Sequence, residues 1–233
     1  MALRAVLFDA GGTLIHPDYG RVAGVLERVL GRSPAPGAWV AAEYEGRAAV
    51  EAAMAAEGGS RDGTRWTVHF AAMFRALGYG DEEVARVAPL LVAEQRRANL
   101  WTVPQPGAAE GLAALRGAGY VVGVVSNADG TVDRLLAAAG LAADLAFVVD
   151  SGAVGIEKPD PAIFRLALDL AGVGAEAALY VGDLYPVDVV GARRAGVEPV
   201  LLDPLGRYGD RDCRTARDVP TLCRELVAAR RPG

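Results

Sequence analysis

Several side chains able to do polar chemistry stand at or just beyond the ends of short apolar runs. Asp9 follows Ala5-Val6-Leu7-Phe8 and precedes Ala10-Gly11-Gly12-Thr13. Ser126-Asn127 close the run Val121–Val125, and Asp183 follows Leu179-Tyr180-Val181-Gly182, with Asp188 a few residues on. Between them lies Glu157-Lys158-Pro159-Asp160-Pro161. If the runs are strands of one sheet, three carboxylates, a lysine and a hydroxyl–amide pair meet on one rim, because ligands of open α/β sheets sit at the carboxyl ends of the strands. Converging carboxylates repel unless a cation sits among them, and oxygen-only ligands favour a hard ion such as Mg²⁺. A phosphoryl group needs donors and positive charge on its oxygens. Ser126, Asn127, Lys158 and the N–H groups of the glycine turn around Gly12 could supply them. An aspartate can attack phosphorus and form an acyl phosphate that water then opens.

These residues need strands and helices in alternation to bring them together. The first run is short and followed by Gly-Gly, which predicts a buried strand. From Tyr19 to Arg97 alanine, leucine, glutamate and arginine dominate, with breaks at Gly31–Gly37, Gly58–Gly63 and Gly78–Gly80; this predicts four helices and no strand. After Pro104 the expected order is helix 108–116, strand 121–125, helix 131–139, strand 147–149, helix 161–171, strand 179–181, helix 187–195, strand 199–202 and helix 219–229. Asp160 before Pro161 fits a capped helix start. Alternation of this kind means a parallel sheet covered on both faces. The expected fold is α/β, a Rossmann-like doubly wound core over residues 1–16 and 103–233, with an all-helical insertion over 17–102.

Composition narrows the function classes. Of 233 residues, 52% are apolar, enough for a sizeable core. The net charge of −5 argues against nucleic acid as a default partner. The arginines Arg207, Arg211, Arg214 and Arg217 alternate with aspartates and read as a mixed surface. Cys213 and Cys223 form neither a disulfide framework nor a metal pair, which fits reduced thiols in cytoplasm. No apolar run is long enough to span a bilayer. Gly172-Val173-Gly174-Ala175-Glu176-Ala177 imitates a dinucleotide fingerprint but follows a helix and precedes a strand, the wrong order.

Taken together, Phe8-Asp9-Ala10-Gly11-Gly12-Thr13-Leu14, Val125-Ser126-Asn127, Lys158-Pro159-Asp160-Pro161 and Val181-Gly182-Asp183 with Asp188-Val189-Val190-Gly191-Ala192 resemble the four ordered motifs of the haloacid dehalogenase superfamily. Each motif alone is weak; all of them in order, from Asp9 to Gly196, are specific. The helical insertion resembles the family's cap. The resemblance implies that Asp9 is the nucleophile and that Ser126 and Lys158 hold the transferred group; Gly12, Asn127 and His16 are expected to bind substrate. It also implies that Asp9, the Gly11 carbonyl and Asp183, with or without Asp188, hold Mg²⁺. The expected substrate is a small phosphorylated metabolite.

One position departs from the family's phosphatases, which resemble Asp-x-Asp-Gly-Thr. Here Gly11 stands where they carry a second aspartate, the general acid and base. General acid–base catalysis is worth about 10²–10⁴-fold, so its loss should hurt most for poor leaving groups. Three expectations follow: a substrate with a good leaving group, such as an acyl or aryl phosphate; a substitute acid, with His16 the first candidate; or carbon–halogen hydrolysis, since a halide leaves without a proton. Dehalogenases of the superfamily resemble Asp-Ala-x-Gly-Thr but carry Ser-Ser-Asn in place of Gly182-Asp183, so the retained carboxylates favour phosphoryl chemistry. A branch with a non-aspartate at this position, vertebrate proteins among it, looks most similar. That branch adds a further alternative, a catalytically weak phosphate- and Mg²⁺-binding protein. His69, Trp39, Trp66, Trp101 and Tyr44 read as packing residues, with one of the aromatics able to line the pocket, and Arg47 and Arg65 read as solvated helix faces that could reach a substrate anion.

Overall fold

Phe8 and Val6 point to one side of the first strand and Leu7 and Ala5 to the other, and all are fully buried. A strand that apolar on both faces belongs in the middle of a covered sheet. The computed structural model, which describes residues 2–57 and 64–230, places it there. Along the chain run β1 (Ala5–Phe8), β2 (Ile15–Pro17), α1 (Tyr19–Leu30), α2 (Trp39–Glu57), α3 (Thr64–Ala76), α4 (Asp81–Arg97), β3 (Trp101–Pro104) and α5 (Ala108–Gly117). Then follow β4 (Val121–Ser126), α6 (Val132–Ala138), β5 (Phe147–Asp150), α7 (Ser151–Val154), α8 (Pro161–Ala171), β6 (Ala178–Gly182), α9 (Val190–Arg194), β7 (Glu198–Leu202), β8 (Arg214–Ala216) and α10 (Val219–Arg230).

The main sheet has six parallel strands in the order β5-β4-β1-β6-β7-β8. The chain winds outward from β1 through β4 and β5, returns, and winds outward again through β6, β7 and β8. The reversal falls at β1, so the carboxyl ends of β4, β1 and β6 open on the topological switch point. Val6, Phe8, Leu112, Leu115, Leu136 and Leu222 fill one side of the sheet. Leu7, Val125, Ile163, Phe164 and Tyr180 fill the other.

The expected α/β class and its strands and helices are present, with small shifts at their ends. Among the described strands and α-helices, four were not foreseen: β2 and β3, which form a ribbon, the one-turn helix α7, and the edge strand β8. Each has four residues or fewer, too short for a periodic pattern to show. The helix expected over 187–195 instead starts with a π-helical turn, Tyr185–Val189, before α9. Ahead of α9, Asp188 folds back onto the N–H groups of Asp183 and Leu184 at 3.1 and 2.9 Å.

By backbone contacts the chain divides into two compact units, Met1–His16 with Trp101–Gly233, and Pro17–Leu100. The second contains α1 to α4 and a core of its own, including Val22, Leu26, Phe70, Phe74 and Leu91. The expected break over Gly58–Gly63 lies outside the described residues. Among those residues no helix is long and apolar enough to cross a membrane. Trp39 and Tyr44 are buried, as packing residues should be. Arg47 corrects an expectation: it is buried, not on a solvated face, and stands 3.5 Å from Glu43, one turn earlier on α2. Glu43 also lies 3.6 Å from His69 on α3.

Burial lowers the His69 pKa below 6.5; the Arg47 charge adds to this and Glu43 opposes it. The folded imidazole therefore resists protonation that the unfolded chain accepts. Its stabilising effect is complete above pH 6.5 and is lost as the pH falls below that value. In thermal melts followed by circular dichroism, the change in midpoint from pH 7.5 to 5.5 should be less unfavourable in His69→Gln than in the native chain, where Asp9, raised to about 6, titrates in the same window with the opposite sign. The same change in both proteins would assign the pH dependence to other groups.

Candidate active site

The site grows from the middle of the sheet. Asp9 follows β1, whose last residue, Phe8, is in register with Val124 on β4 and Val181 on β6. The Asp9 N–H donates to Val181 O at 2.8 Å, so its main chain continues the ladder. Lys158 arrives on the loop before α8. That loop is tied down on both sides. Asn127 clamps the Lys158 main chain, accepting from its N–H at 2.8 Å and donating to its carbonyl at 2.9 Å. Asp160 caps α8 by accepting from Ala162 N at 2.9 Å. Further along, Gly191 lets α9 approach closely: a Cβ there would lie 2.6 Å from the Phe164 ring and 3.0 Å from Pro159 Cα.

The Lys158 ammonium donates to three acceptors, each at 2.7 Å: Asp9 Oδ1, Asp188 Oδ1 and the Tyr180 hydroxyl. Both Lys158 and Asp188 are 2% exposed, so this is a buried ion cluster whose geometry must offset desolvation. Asp188 is fully engaged. Oδ1 faces Lys158 and, at 3.1 Å, the Tyr180 hydroxyl, while Oδ2 accepts from Asp183 N and Leu184 N. Gly182 makes room for this fold-back, because a Cβ would sit 2.3 Å from Asp188 Cγ.

Burial pushes the Asp9 carboxyl up to about 6; Lys158 pulls it down and the Asp188 charge pushes it further up. Burial also opposes the charge on Lys158, but Asp188 and Asp9 outweigh it and hold its pKa above the usual lysine value. Tyr180 is raised well above the ordinary phenol by burial first and the neighbouring carboxylates second, so it stays a neutral hydroxyl.

Asp183 completes the rim. Its carboxylate rests against Gly12, where a Cβ would come within 2.3 Å of Oδ2, and the positive φ of 81° there also favours glycine. One carboxylate oxygen each from Asp9, Asp183 and Asp188 lies within 4.8 Å of the others. Among the described residues the three carboxylates outnumber the Lys158 ammonium that pairs with Asp9 and Asp188, and the donor set is all oxygen. Both suit a hard cation. Because the Asp188 oxygens are already engaged, its direct ligation would displace one of the contacts above.

The structure thus brings Asp9, Lys158, Asp183 and Asp188 together. Ser126 ends β4, buried and in register with Asp150. Three expectations change in kind. Gly12 N donates to Ile15 O at 2.8 Å, so Gly12 provides space for Asp183 and its N–H is spent within the turn. Asn127 uses both ends of its amide on Lys158 and orients that residue. His16 has its Nε2 on Gln105 Oε1 at 2.7 Å, which ties the ring to the start of the next loop. At Gly11 a Cβ would meet the Trp101 ring at 3.3 Å, so an indole borders the space of the missing acid.

Two supporting groups were missed. Tyr180 read as a strand residue and nothing more. Asp150 collects N–H groups from Gly130 and Gly152 on Oδ1 and from Val132 on Oδ2, at 2.9–3.1 Å, while Ser151 Oγ pairs with Ala128 N and O. Together they fix the loop after Asn127. Asp150 had a signal, since it follows the apolar run Phe147-Val148-Val149 as Asp9 follows its own.

Known proteins resemble this chain in sequence and in fold. The family model described as haloacid dehalogenase-like hydrolase matches residues 3–196. A phosphoserine phosphatase of Thermus thermophilus is 35% identical over 211 residues, covering 86% of this chain and 81% of the relative. A phosphoglycolate phosphatase of Rhodospirillum rubrum is 34% identical over 205 residues, covering 85% and 79%. Among solved structures, a 2-haloacid dehalogenase from Pseudomonas syringae superposes with a TM-score of 0.59 at 26% identity, over 97% of this chain and 99% of that one.

Removing Asp188 would leave a buried ammonium short of one carboxylate and two N–H groups without an acceptor. Asp188→Ala is expected to cost about 3–5 kcal/mol in urea unfolding without added divalent ions. A loss under about 1 kcal/mol would mean that this network does not hold the site together.

Proposed function

The chain belongs to the haloacid dehalogenase-like hydrolase family, and on that premise we propose that it is an Mg²⁺-dependent phosphatase of small phosphomonoesters or acyl phosphates. The observation that carries this reading is the meeting of Asp9, Lys158 and Asp183 at the switch point of the sheet. In this reading Asp9 attacks phosphorus, the leaving group departs, and water hydrolyses the aspartyl phosphate. Lys158 and Ser126 hold the oxygens of the transferred group. Asp9, Asp183 and the Gly11 carbonyl would hold Mg²⁺, which when bound neutralises charge on the phosphoryl oxygens. Asp188 is assigned the brace of Lys158, on the strength of its hydrogen bonds.

The phosphatase relatives support a small phosphorylated substrate. We assign the helical segment 17–102 the role of a cap that selects it and excludes water. We place the protein in the cytoplasm, without a nucleic-acid or membrane partner. A carbon–halogen hydrolase is the second reading, favoured by the absence of an acid at Gly11. The Asp183 carboxylate weighs against it, since halide release needs no metal ion for that carboxylate to hold.

Asp9→Asn should abolish Mg²⁺-dependent hydrolysis of para-nitrophenyl phosphate while the circular dichroism spectrum stays unchanged. Full activity in that variant would remove Asp9 as nucleophile, and metal-independent chloride release from 2-haloacids by the native chain would favour the second reading. Gly11→Asp supplies the missing acid at a position whose φ is not positive. The Trp101 ring must yield by a few tenths of an ångström. That variant should raise turnover of alkyl phosphates more than that of aryl phosphates, within the roughly 10²–10⁴-fold range of general acid catalysis. Equal gains for both would show that leaving-group protonation is not what Gly11 costs the site.

A further inference from the structure

Lys158 has three N–H bonds and three acceptors, so its donors are all committed. To reach a phosphoryl oxygen it must give one of them up. Asp9 and Asp188 are carboxylates, and hydrogen bonds between charged groups are the stronger kind. The Tyr180 hydroxyl, unlike an ionised carboxylate, also carries a proton of its own, so it can fill the place that Lys158 leaves on Asp188.

Tyr180 is also placed to absorb the change. Its hydroxyl carries one proton and has two acceptors for it, Val125 O at 3.0 Å and Asp188 Oδ1 at 3.1 Å. Rotation about the C–O bond moves that proton between them without moving the ring. The ring itself is fully buried in β6 and packed edge-on against Phe164 at 4.9 Å between centroids. A rigid ring with a turning hydroxyl lets Lys158 change partners while Asp188 keeps a donor. When Lys158 turns away from Asp188, the Tyr180 proton can replace it there. When it returns, the proton goes back to the carbonyl of Val125, the residue before Ser126.

We propose that Tyr180 is a positioning residue of the reaction: its hydroxyl holds the Lys158 ammonium between Asp9 and Asp188 and compensates Asp188 when Lys158 engages the substrate. The inference rests on the phosphatase reading for its reaction, and on the hydrogen bonds alone for its contact with Lys158.

The test is Tyr180→Phe in the full chain, which deletes the hydroxyl and keeps the ring. With Mg²⁺ and para-nitrophenyl phosphate, kcat should fall about ten-fold, the scale of one charge-assisted hydrogen bond, while KM changes less than about two-fold. In metal-free protein the ¹⁵N signal of the Lys158 ammonium should shift and its protons should exchange faster with solvent. A variant that lost only packing would not show that signature. An unmoved Lys158 signal, or a kcat within about two-fold of native, overturns the role of Tyr180. Absence of Mg²⁺-dependent turnover by the native chain overturns the phosphatase reading instead, and the ammonium signal still decides whether Tyr180 holds Lys158.

Discussion

One ammonium holds together residues that the chain keeps far apart. Lys158 touches Asp9 from the first strand, Asp188 from the turn after β6 and Tyr180 from within β6. Without it, carboxylates would converge in a place with little water to screen them, at a cost of several kcal/mol for each uncompensated buried ion. The rest of the site serves this contact. Asn127 and Asp160 hold the loop that delivers Lys158, Gly182 lets Asp188 bend back, and Gly191 lets α9 lie against the same loop. The cluster stabilises the fold only while every member is paired, so the proposed chemistry and the architecture share one set of bonds.

The sequence made the strand ends legible because buried parallel strands are short apolar runs and their first polar residue is conspicuous. Asp9, Ser126 and Asp183 were found in that way. Lys158 and Asp188 came from motif spacing, and no local pattern says where a lysine on a loop will point. Tyr180 and Asp150 escaped for a related reason. A tyrosine in a strand looks like packing until its hydroxyl is seen to meet an ammonium. An aspartate at the end of a strand looks like an ordinary turn former until its oxygens are seen to collect N–H groups.

The misread details concern backbone groups. Gly12 was expected to offer an N–H, but the turn uses that N–H on Ile15, and the glycine matters because Asp183 lies against it. Asn127 was expected to face a ligand and instead reads the main chain of Lys158. In each case the sequence identified a residue that the site needs, while the balance of donors and acceptors determined what it does. The short elements β2, β3, β8 and α7 were invisible for a different reason: three or four residues cannot display a period.

The central position of β1 has a further consequence. Paired on both edges and covered on both faces, it is the stretch of backbone with least freedom to open. Asp9 inherits that stillness, whereas Lys158 and Asp183 ride on connections between elements. The carboxylate therefore acts as the fixed origin of the site's coordinate frame, and adjustment to different guests falls to the parts that surround it. Chains sharing this architecture can diverge widely in their loops and still present the same first carboxylate in the same place.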